Sequence, residues 1–573
     1  MSTAPRRWYH ELNRYHWFVL IVAALGWLFD TMDQQLFNLA RQPAMVELLA
    51  PSPGQRPDDA VVREGITQVT SIFMIGWATG GIFFGVLGDR FGRAKTMMLT
   101  ILLYSFCTGL SAFSKGFWDF ALYRFLTGLG VGGEFAVGVA LVAEVMPDRA
   151  RPHALGLLQA LSAVGNITAA LVGLSLGQLE QTGVIDNWDL WGIKFTPWRL
   201  MFVIGTLPAL LAIVIRKRLK EPEQWKALVA AHKNDGGKQL GSYSELLGNP
   251  EFRRRALVGL ALATSGVVGV WGIGFFSPEL IRSVFTRQYH AEAREQGAAA
   301  EDRAFLNLLV QQPATLDAIA IKVNAADLIN LTADDRDASA IYTAILEQKK
   351  SGQAITKEAV LEQSAKLPAG DAEAVRTRRA AYLNVETTGA APTPEAMQSH
   401  VDRIAGRTQG IKGSLTSLAG LTLFVQNIGA FFGIYMFTTL THYTGRRFAF
   451  AVSFILAMLS TILVFSSFND VTDFYWMIPL MGFCQLSVFG GYAIYFPELF
   501  PTRLRSTGTS FCYNVGRYLS ASGPLFLGYL SNNVFSDYAE PLRPAAITMC
   551  SVYLIGLLVL PFAPETKDRP LPE

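Results

Sequence analysis

Apolar residues in this chain gather into twelve blocks of about 20 residues, the length a helix needs to cross hydrocarbon. The blocks run over residues 16–40, 66–87, 95–113, 119–143, 154–177, 198–216, 255–281, 413–440, 447–467, 474–497, 507–530 and 544–563. The first is too long for a signal peptide, is interrupted by Asp30 and Asp33, and lacks a small-residue cleavage site. The pattern predicts an all-α polytopic membrane protein with twelve transmembrane helices in two six-helix halves.

Two polar connections are long. Residues 217–254 join the halves and are basic. Residues 286–410, between the seventh and eighth blocks, form an insert of roughly 125 residues, far beyond an ordinary connection. Its Ala340–Lys350 and Lys357–Leu367 stretches have helix-forming composition with apolar residues at helical spacing. We therefore expect a small helical insert rather than a partly disordered loop. The expected organisation is 1–216 as the first half, 217–254 as the central connection, 255–285 as helix 7, 286–410 as the insert, and 411–573 as helices 8–12 with the C-terminal segment.

Composition agrees with a membrane reading. Of 573 residues, 51% are hydrophobic and 17% charged, with 38 Phe and 51 Gly, whereas a soluble protein carries about 25% charged residues. The net charge of +3 says little as a total; its distribution says more. Arg90, Arg93, Lys95, Arg149, Arg151, Arg216, Lys217, Arg218, Lys220, Arg446, Arg447, Arg503 and Arg505 all fall in alternate connections or at the block ends beside them. By the positive-inside rule these face the cytoplasm, as do both termini, and the insert faces outward. The expected location is a bacterial inner membrane, with the lipid bilayer as a partner and an unknown outer partner for the insert. Cys107, Cys484, Cys512 and Cys550 lie in or beside apolar blocks without metal-ligand spacing.

One motif occurs twice. Glu144-x-x-Pro147-x-Arg149-x-Arg151 ends the fourth block, and Glu498-x-x-Pro501-x-Arg503-x-Arg505 ends the tenth. Internal repeats in two halves of a long apolar chain mark transporters.

Further motifs carry a family resemblance. Gly88-Asp89-Arg90-Phe91-Gly92-Arg93 resembles the loop signature between helices 2 and 3 of the major facilitator superfamily. Arg124 through Gly133-Glu134 resembles the fourth-helix motif of its sugar porters and metabolite–proton symporters. Trp198-Arg199, Pro208-Ala209 and Glu221-Pro222-Glu223-Gln224-Trp225 resemble its stretch through helix 6 into the central loop, and Tyr495 through Gly508 with Tyr513-Asn514-Val515-Gly516-Arg517 resembles helices 10 and 11 of organic-acid symporters. Asp30-Thr31-Met32-Asp33 resembles the paired acids of helix 1 in aromatic-acid and sialic-acid symporters, with Thr31 where a glycine is usual. The resemblance covers nearly everything outside 286–410. It implies a two-domain secondary transporter and, for Gly88, Asp89, Arg90, Gly92 and Arg93, a latch between the halves. The corresponding turn of the second half, Thr441 to Arg447, lacks the acid, so only the first half is expected to hold a full latch. Opposed charges within each repeat, Glu144 with Arg149 and Arg151, and Glu498 with Arg503 and Arg505, are expected to form networks that reorganise as the halves move.

Ionisable residues inside the blocks cost about 2.5–3.5 kcal/mol each at a helix centre, so they mark function by default. Asp30, Asp33, Arg124, Glu134 and Arg517 qualify. At about 1.5 Å rise per residue, Asp33 and Arg124 fall at similar depth and are expected to pair. A buried acid beside a movable arginine changes its proton affinity when the pair separates, so Asp33, Arg124, Asp30 and Glu134 are the proton-coupling candidates. Alternatives are a static pair for Asp33–Arg124 and a helix-packing role for Glu134. Arg517 offers bidentate recognition of a carboxylate. Trp271, Gln426, Asn427, Gln485, Tyr492 and Asn514 lie at comparable depth and complete a mixed wall suited to a small organic anion.

No nucleotide-binding loop, nucleophile elbow or zinc motif appears. The expectation is a non-enzymatic carrier without cofactor, metal or nucleic acid, moving a small organic acid or similar polar metabolite with protons. A neutral-sugar facilitator or symporter and a non-transporting receptor using the insert are the rival readings.

Overall fold

The computed structural model describes residues 8–50, 59–181, 189–190, 193–194, 196–235, 240–274, 277–297, 305–306, 310, 333–351, 355–366, 372–383, 394–520, 522–538 and 540–572. Among them the only strands are a two-residue antiparallel pair, Asp189–Leu190 with Ile193–Lys194. Leu367, at the end of one expected insert helix, lies outside the described residues.

The first half comprises α1 (Arg14–Leu48), α2 (Asp59–Phe91), α3 (Arg93–Ser111), α4 (Phe117–Val145), α5 (Arg151–Gln181), and the pair α6 (Pro197–Ile204) and α7 (Ala209–Arg218). The central connection folds into α8 (Glu223–Asp235) and α9 (Tyr243–Gly248). The chain continues as α10 (Pro250–Val268), a π-turn at Gly269–Ile273, and α11 (Ser277–Glu295). After the insert helices α12 (Ala333–Ser351), α13 (Lys357–Ala365) and α14 (Ala372–Leu383) come α15 (Pro394–Thr444), α16 (Arg446–Ser467), α17 (Val471–Leu499), α18 (Arg505–Ser520), α19 (Gly523–Tyr529), α20 (Leu542–Met549) and α21 (Val552–Val559).

Ten of the described helical stretches are long and apolar enough to cross a membrane. The other two expected crossings are α3 and α18, where Thr, Ser, Tyr and Arg dilute the apolar character. Their polar residues turn inward: Thr100, Ser105, Thr108, Ser111, Thr507, Thr509, Ser510 and Asn514 are fully buried. Hydropathy is thus low where a helix faces protein on several sides, not where it faces water.

Local chemistry sets the helix ends. Asn13 starts α1 by accepting from the His16 amide at 2.8 Å, and Asn249 caps α10 with Pro250 in the first turn. Gly92 and Gly445 take φ of +111° and +94° immediately before α3 and α16, a backbone region that favours glycine. Deep packing uses glycine too: a Cβ on Gly132 of α4 would strike the Trp77 carbonyl of α2, so α2 and α4 approach backbone to backbone.

The chain forms two compact units. One is Met1–Leu280 with Gly420–Glu573 and contains both six-helix halves. The other is Ile281–Ala419. Within the second unit α12, α13 and α14 pack around Ile341, Tyr342, Ile345, Val360 and Val375, all buried. Asp337 is buried there and binds Arg378 and Arg379, the latter with Nε 2.8 Å from Oδ1. Burial pushes the Asp337 carboxyl up, but the two arginines outweigh it and hold it below its usual range.

Candidate functional site

The structure brings Asp33 and Arg124 together, with Arg124 Nη1 3.7 Å from Asp33 Oδ2 and both side chains fully buried. Thr108 on α3 donates to Asp33 Oδ1 at 2.7 Å. The guanidinium also donates to Ser111 and Thr127 and lies 4.5 Å from the Phe202 ring. Asp33 Oδ2 and Arg124 Nη1 have no hydrogen-bond partner. The pair is therefore electrostatic contact without a closed hydrogen bond, and the carboxylate keeps an open face. Thr108, Ser111 and Thr127 were missed in the sequence, because single hydroxyls in apolar helices carry no local signal.

Asp30 and Glu134 are each 1% exposed, and none of their four carboxyl oxygens has a hydrogen-bond partner. Glu134 lies against Gly26, one turn from Asp30 on α1, where a Cβ would collide with its carboxyl. Asp30 lies within electrostatic reach of Glu134, Asp33 and Arg517. Two unpaired buried acids of this kind stay in a membrane interior at low cost only by holding protons or a cation.

Arg517 comes from the other half. Its guanidinium carbon is 3.8 Å from the Trp77 ring on α2 and 4.1 Å from the Tyr513 ring, an aromatic sandwich across the two halves. Nη1 donates to Asn514 at 2.8 Å, while Nε has no partner. Trp77 also lines a cavity of about 80 Å³ with Gln34, Phe37, Asn38, Thr70, Phe73, Met74, Trp271 and Ser520. Trp271 projects from the π-turn of Gly269–Ile273, and such turns interrupt helices mostly at functional positions.

The other expected wall residues go elsewhere. Asn427 accepts from Asn166 of α5 at 2.9 Å, tying the halves together. Gln485 donates to Thr461 at 2.7 Å. Tyr492 donates to the Leu262 carbonyl at 2.6 Å and stacks on Phe496, so it packs α17 against α10. Gln426 sits where α15 meets Gly482 of α17. Among the seven sequence-picked residues, only Trp271 lines this cavity, with Arg517 reaching it through Trp77.

The basic loops converge on a buried network. Arg93 binds Glu144 with two bonds, of 3.1 and 2.9 Å, and lies 3.0 Å from Asp89. It also donates to the Gly88 carbonyl and, across the halves, to the Thr502 carbonyl at 2.6 Å. Asp89 in turn accepts from the Ser506 and Thr507 amides and the Thr507 hydroxyl at the start of α18, an acid at a helix N-terminus. Arg505 reaches Glu144 at 2.9 Å. Arg90 donates to the Leu240 carbonyl, and Trp225 to that of Asp89, so the central connection docks onto this network.

The pairing differs from the expected one within each repeat. Arg149 meets half-buried Glu11, and Arg151 meets Asp148 and the Ala143 carbonyl of its own half rather than the Glu144 carboxylate. Glu498 is taken by Arg446 through bonds of 3.0 and 2.7 Å, and Arg503 by Glu245. Arg446 thus repeats Arg93. Two further acids repeat as well: Glu221 accepts from the Ala94 and Lys95 amides, and Glu565 from those of Arg446 and Arg447. Burial raises the Glu565 carboxyl, but the amides of Arg446, Lys567 and Arg447 outweigh it and hold it low. The signal for both was present in Glu221-Pro222 and Pro564-Glu565, each just beyond the last helix of its half.

Comparison with known proteins agrees with this architecture. Residues 23–290 match the profile described as Major Facilitator Superfamily. A putative metabolite transport protein of Haemophilus influenzae is 30% identical over 275 residues, 48% of this chain and 61% of that protein. The niacin transporter NiaP of Acinetobacter baylyi is 31% identical over 37% of this chain and 42% of its own length. The chain thus spans about three fifths of the first relative and two fifths of the second. A structure of the proton:xylose symporter XylE bound to 6-bromo-6-deoxy-D-glucose superposes with a TM-score of 0.61 at 13% identity, covering 97% of this chain and 98% of that one, a likeness of fold. The two repeated halves and the paired loop signatures agree with these matches: residues 23–290 are similar to the Major Facilitator Superfamily, and the whole chain shares its fold with the xylose symporter structure.

Proposed function

We propose that this protein is a secondary active transporter that moves a small organic acid together with protons by alternating access. The observation that carries the reading is the Asp33–Arg124 pair, held 3.7 Å apart with an unpartnered atom on each side. An anionic Asp33 is stabilised by Arg124; movement of either helix removes that cation and makes protonation favourable. Asp30 and Glu134, buried without partners, extend the same chemistry toward Arg517.

Arg517 supplies substrate recognition. Held flat between Trp77 and Tyr513, it is pre-organised to meet a carboxylate, and its Nε is free to donate. Beside it Phe37, Phe73, Trp77 and Trp271 give the cavity an aromatic wall for the apolar part of an acid, and at about 80 Å³ the cavity must widen to admit one. A relative named as a niacin transporter has a small aromatic acid as its substrate, in keeping with this chemistry.

The basic end, closed by Asp89, Arg93, Glu144 and Arg505, is read as the cytoplasmic gate in its shut state. Both termini then lie in the cytoplasm of a bacterial inner membrane, and residues 286–410 form an outer appendage open to a partner of its own. The test is counterflow in proteoliposomes with radiolabelled aromatic acids, aliphatic acids and sugars, with and without a pH gradient. Gradient-driven uptake of an acid supports the reading; uptake of neutral sugars alone, indifferent to the gradient, sinks it.

A further inference from the structure

The two halves meet at the basic end along two seams, and the internal repeat relates one seam to the other. In the first seam α2 meets α18, with Asp89 bonded to Thr507 and Ser510 donating to the Gly81 carbonyl. In the second seam α5 meets α15. Arg93 corresponds to Arg446, and Arg151 to Arg505, so Asp89 corresponds to His442 and Thr507 to His153. The close approaches correspond as well: a Cβ on Gly85 would strike Ser510, and one on Gly156 would strike Thr438.

The structure fills the second seam as the repeat demands. The His153 and His442 rings lie with centroids 5.0 Å apart, one from each half. Trp8 also stacks on His153, at 5.3 Å with planes 17° apart, and Tyr443 meets His442 edge-on. Where the first seam joins an acid to a hydroxyl and two amides, the second joins two imidazoles.

We propose that His153 and His442 form a pH-sensitive latch on the α5–α15 seam, closed while the imidazoles are neutral and released when both are protonated. The inference rests on alternating access as the working cycle, and it assigns that cycle a regulation: acidity on the basic side favours opening there. Neutral rings pack in contact, but two imidazolium ions at this distance repel, and separating the halves relieves them.

The surroundings do not cancel the repulsion. From the start of α5 come Arg149 and Arg151, engaged by Glu11 and Asp148. From α16 comes Arg446, engaged by Glu498. Lys567 of the C-terminal segment donates to the Tyr443 carbonyl at 2.8 Å, and His10 stacks on Tyr9 next to Trp8. Among the described residues Glu11, Asp148 and Glu498 are taken by arginines, Glu565 by the Arg446, Arg447 and Lys567 amides and Asp568 by Lys567, and no ion pair joins either imidazole to an acid.

The sign follows from the closed state disfavouring the charged rings. The closed population is therefore full at alkaline pH and falls on acidification. Each proton taken up on opening changes the open-to-closed ratio by at most about tenfold per pH unit.

The experiment places spin labels on Lys95→Cys and Phe448→Cys, exposed positions in opposite halves at the basic end, and reads their separation by double electron–electron resonance from pH 8 to pH 5.5. No substrate is needed, so the outcome does not depend on what the protein carries. In the otherwise native protein the long-distance population should grow on acidification. In an Asp33→Asn background, which removes the coupling acid, acidification should still lengthen the distance, and adding His153→Gln/His442→Gln should remove that growth. A response in the Asp33→Asn background that the two histidine substitutions leave unchanged overturns the proposal. His442→Asn, a smaller change, provides a second readout: it should also flatten the response, and an unaltered one counts against the latch. Failure of this test leaves the counterflow result untouched, since that experiment reports on cargo and coupling.

Discussion

Arg505 donates to Glu144 Oε1 at 2.9 Å from the opposite half of the molecule, whereas Arg151, its counterpart in the repeat, bonds within its own half to Asp148 and the Ala143 carbonyl. The same sequence motif thus performs two jobs. In one half it ties the halves together; in the other it finishes a helix. The asymmetry places the stronger electrostatic seam at Asp89, Arg93, Glu144 and Arg505, all buried.

Glu144→Gln should therefore weaken the closed state more than its counterpart. Removing one partner of a buried ion network leaves uncompensated charge at a cost of about 3–5 kcal/mol. Here Arg93 and Arg505 would face each other with only Asp89 to balance them. We expect a lower Tm in detergent and increased labelling of cysteines placed at the basic end. Glu498→Gln should lower Tm but leave the separation of the halves unchanged, because Arg446 lies in the same half. Equal effects on that separation would contradict the asymmetry.

Asp33→Asn should abolish proton-driven accumulation while preserving part of substrate exchange, since exchange does not require proton release. Reconstituted vesicles with an imposed pH gradient measure both. Full accumulation by the variant would take Asp33 out of coupling.

For Arg517→Lys the expectation is weaker binding of acids with the fold intact. Lys keeps the charge but loses the planar fork and the stacking between Trp77 and Tyr513. A hydrogen bond to a charged group contributes about 1.5–3 kcal/mol, so affinity should drop roughly 10- to 100-fold. Calorimetry in detergent reads this directly, and unchanged affinity would make Arg517 a structural cation.

The insert should lose stability in acid. Asp337 is held below its usual range by Arg378 and Arg379. A carboxyl with a depressed folded pKa contributes stability above its unfolded pKa of about 3.9 and loses it as pH falls through the lower folded value. Amide exchange in α12 and α14 of the full chain should therefore accelerate below about pH 4. Asp337→Asn should show fast exchange already at neutral pH. Protection equal to the native chain would mean the ion cluster is dispensable.

Replacing residues 286–410 with a short Gly/Ser linker should leave an inserted, partly active protein, because loop length changes closure entropy only logarithmically. Uptake assays after expression and folding checks decide it. Complete loss of transport in a well-folded deletion would give the insert a part in the outer cavity.

The sequence by itself determined the crossings, the two halves and the principal buried charges. Those follow from the physics of hydrocarbon: a spanning helix must be apolar along its length, so an exception such as Asp33, Arg124 or Arg517 stands out against the block around it. Depth along a helix is also legible, because rise per residue is constant, and that was enough to bring Asp33 and Arg124 to one level. Azimuth was not legible. Which way Tyr492, Gln485 or Arg151 points depends on helix rotation and on the neighbour across the contact, and nearly every face of these helices is apolar. Only the tertiary structure could send Tyr492 to the Leu262 carbonyl, hand Glu144 to Arg505 rather than Arg151, bring Trp77 onto Arg517, and set His153 against His442, since each of these partners lies in a different helix and is fixed by how the helices rotate against one another.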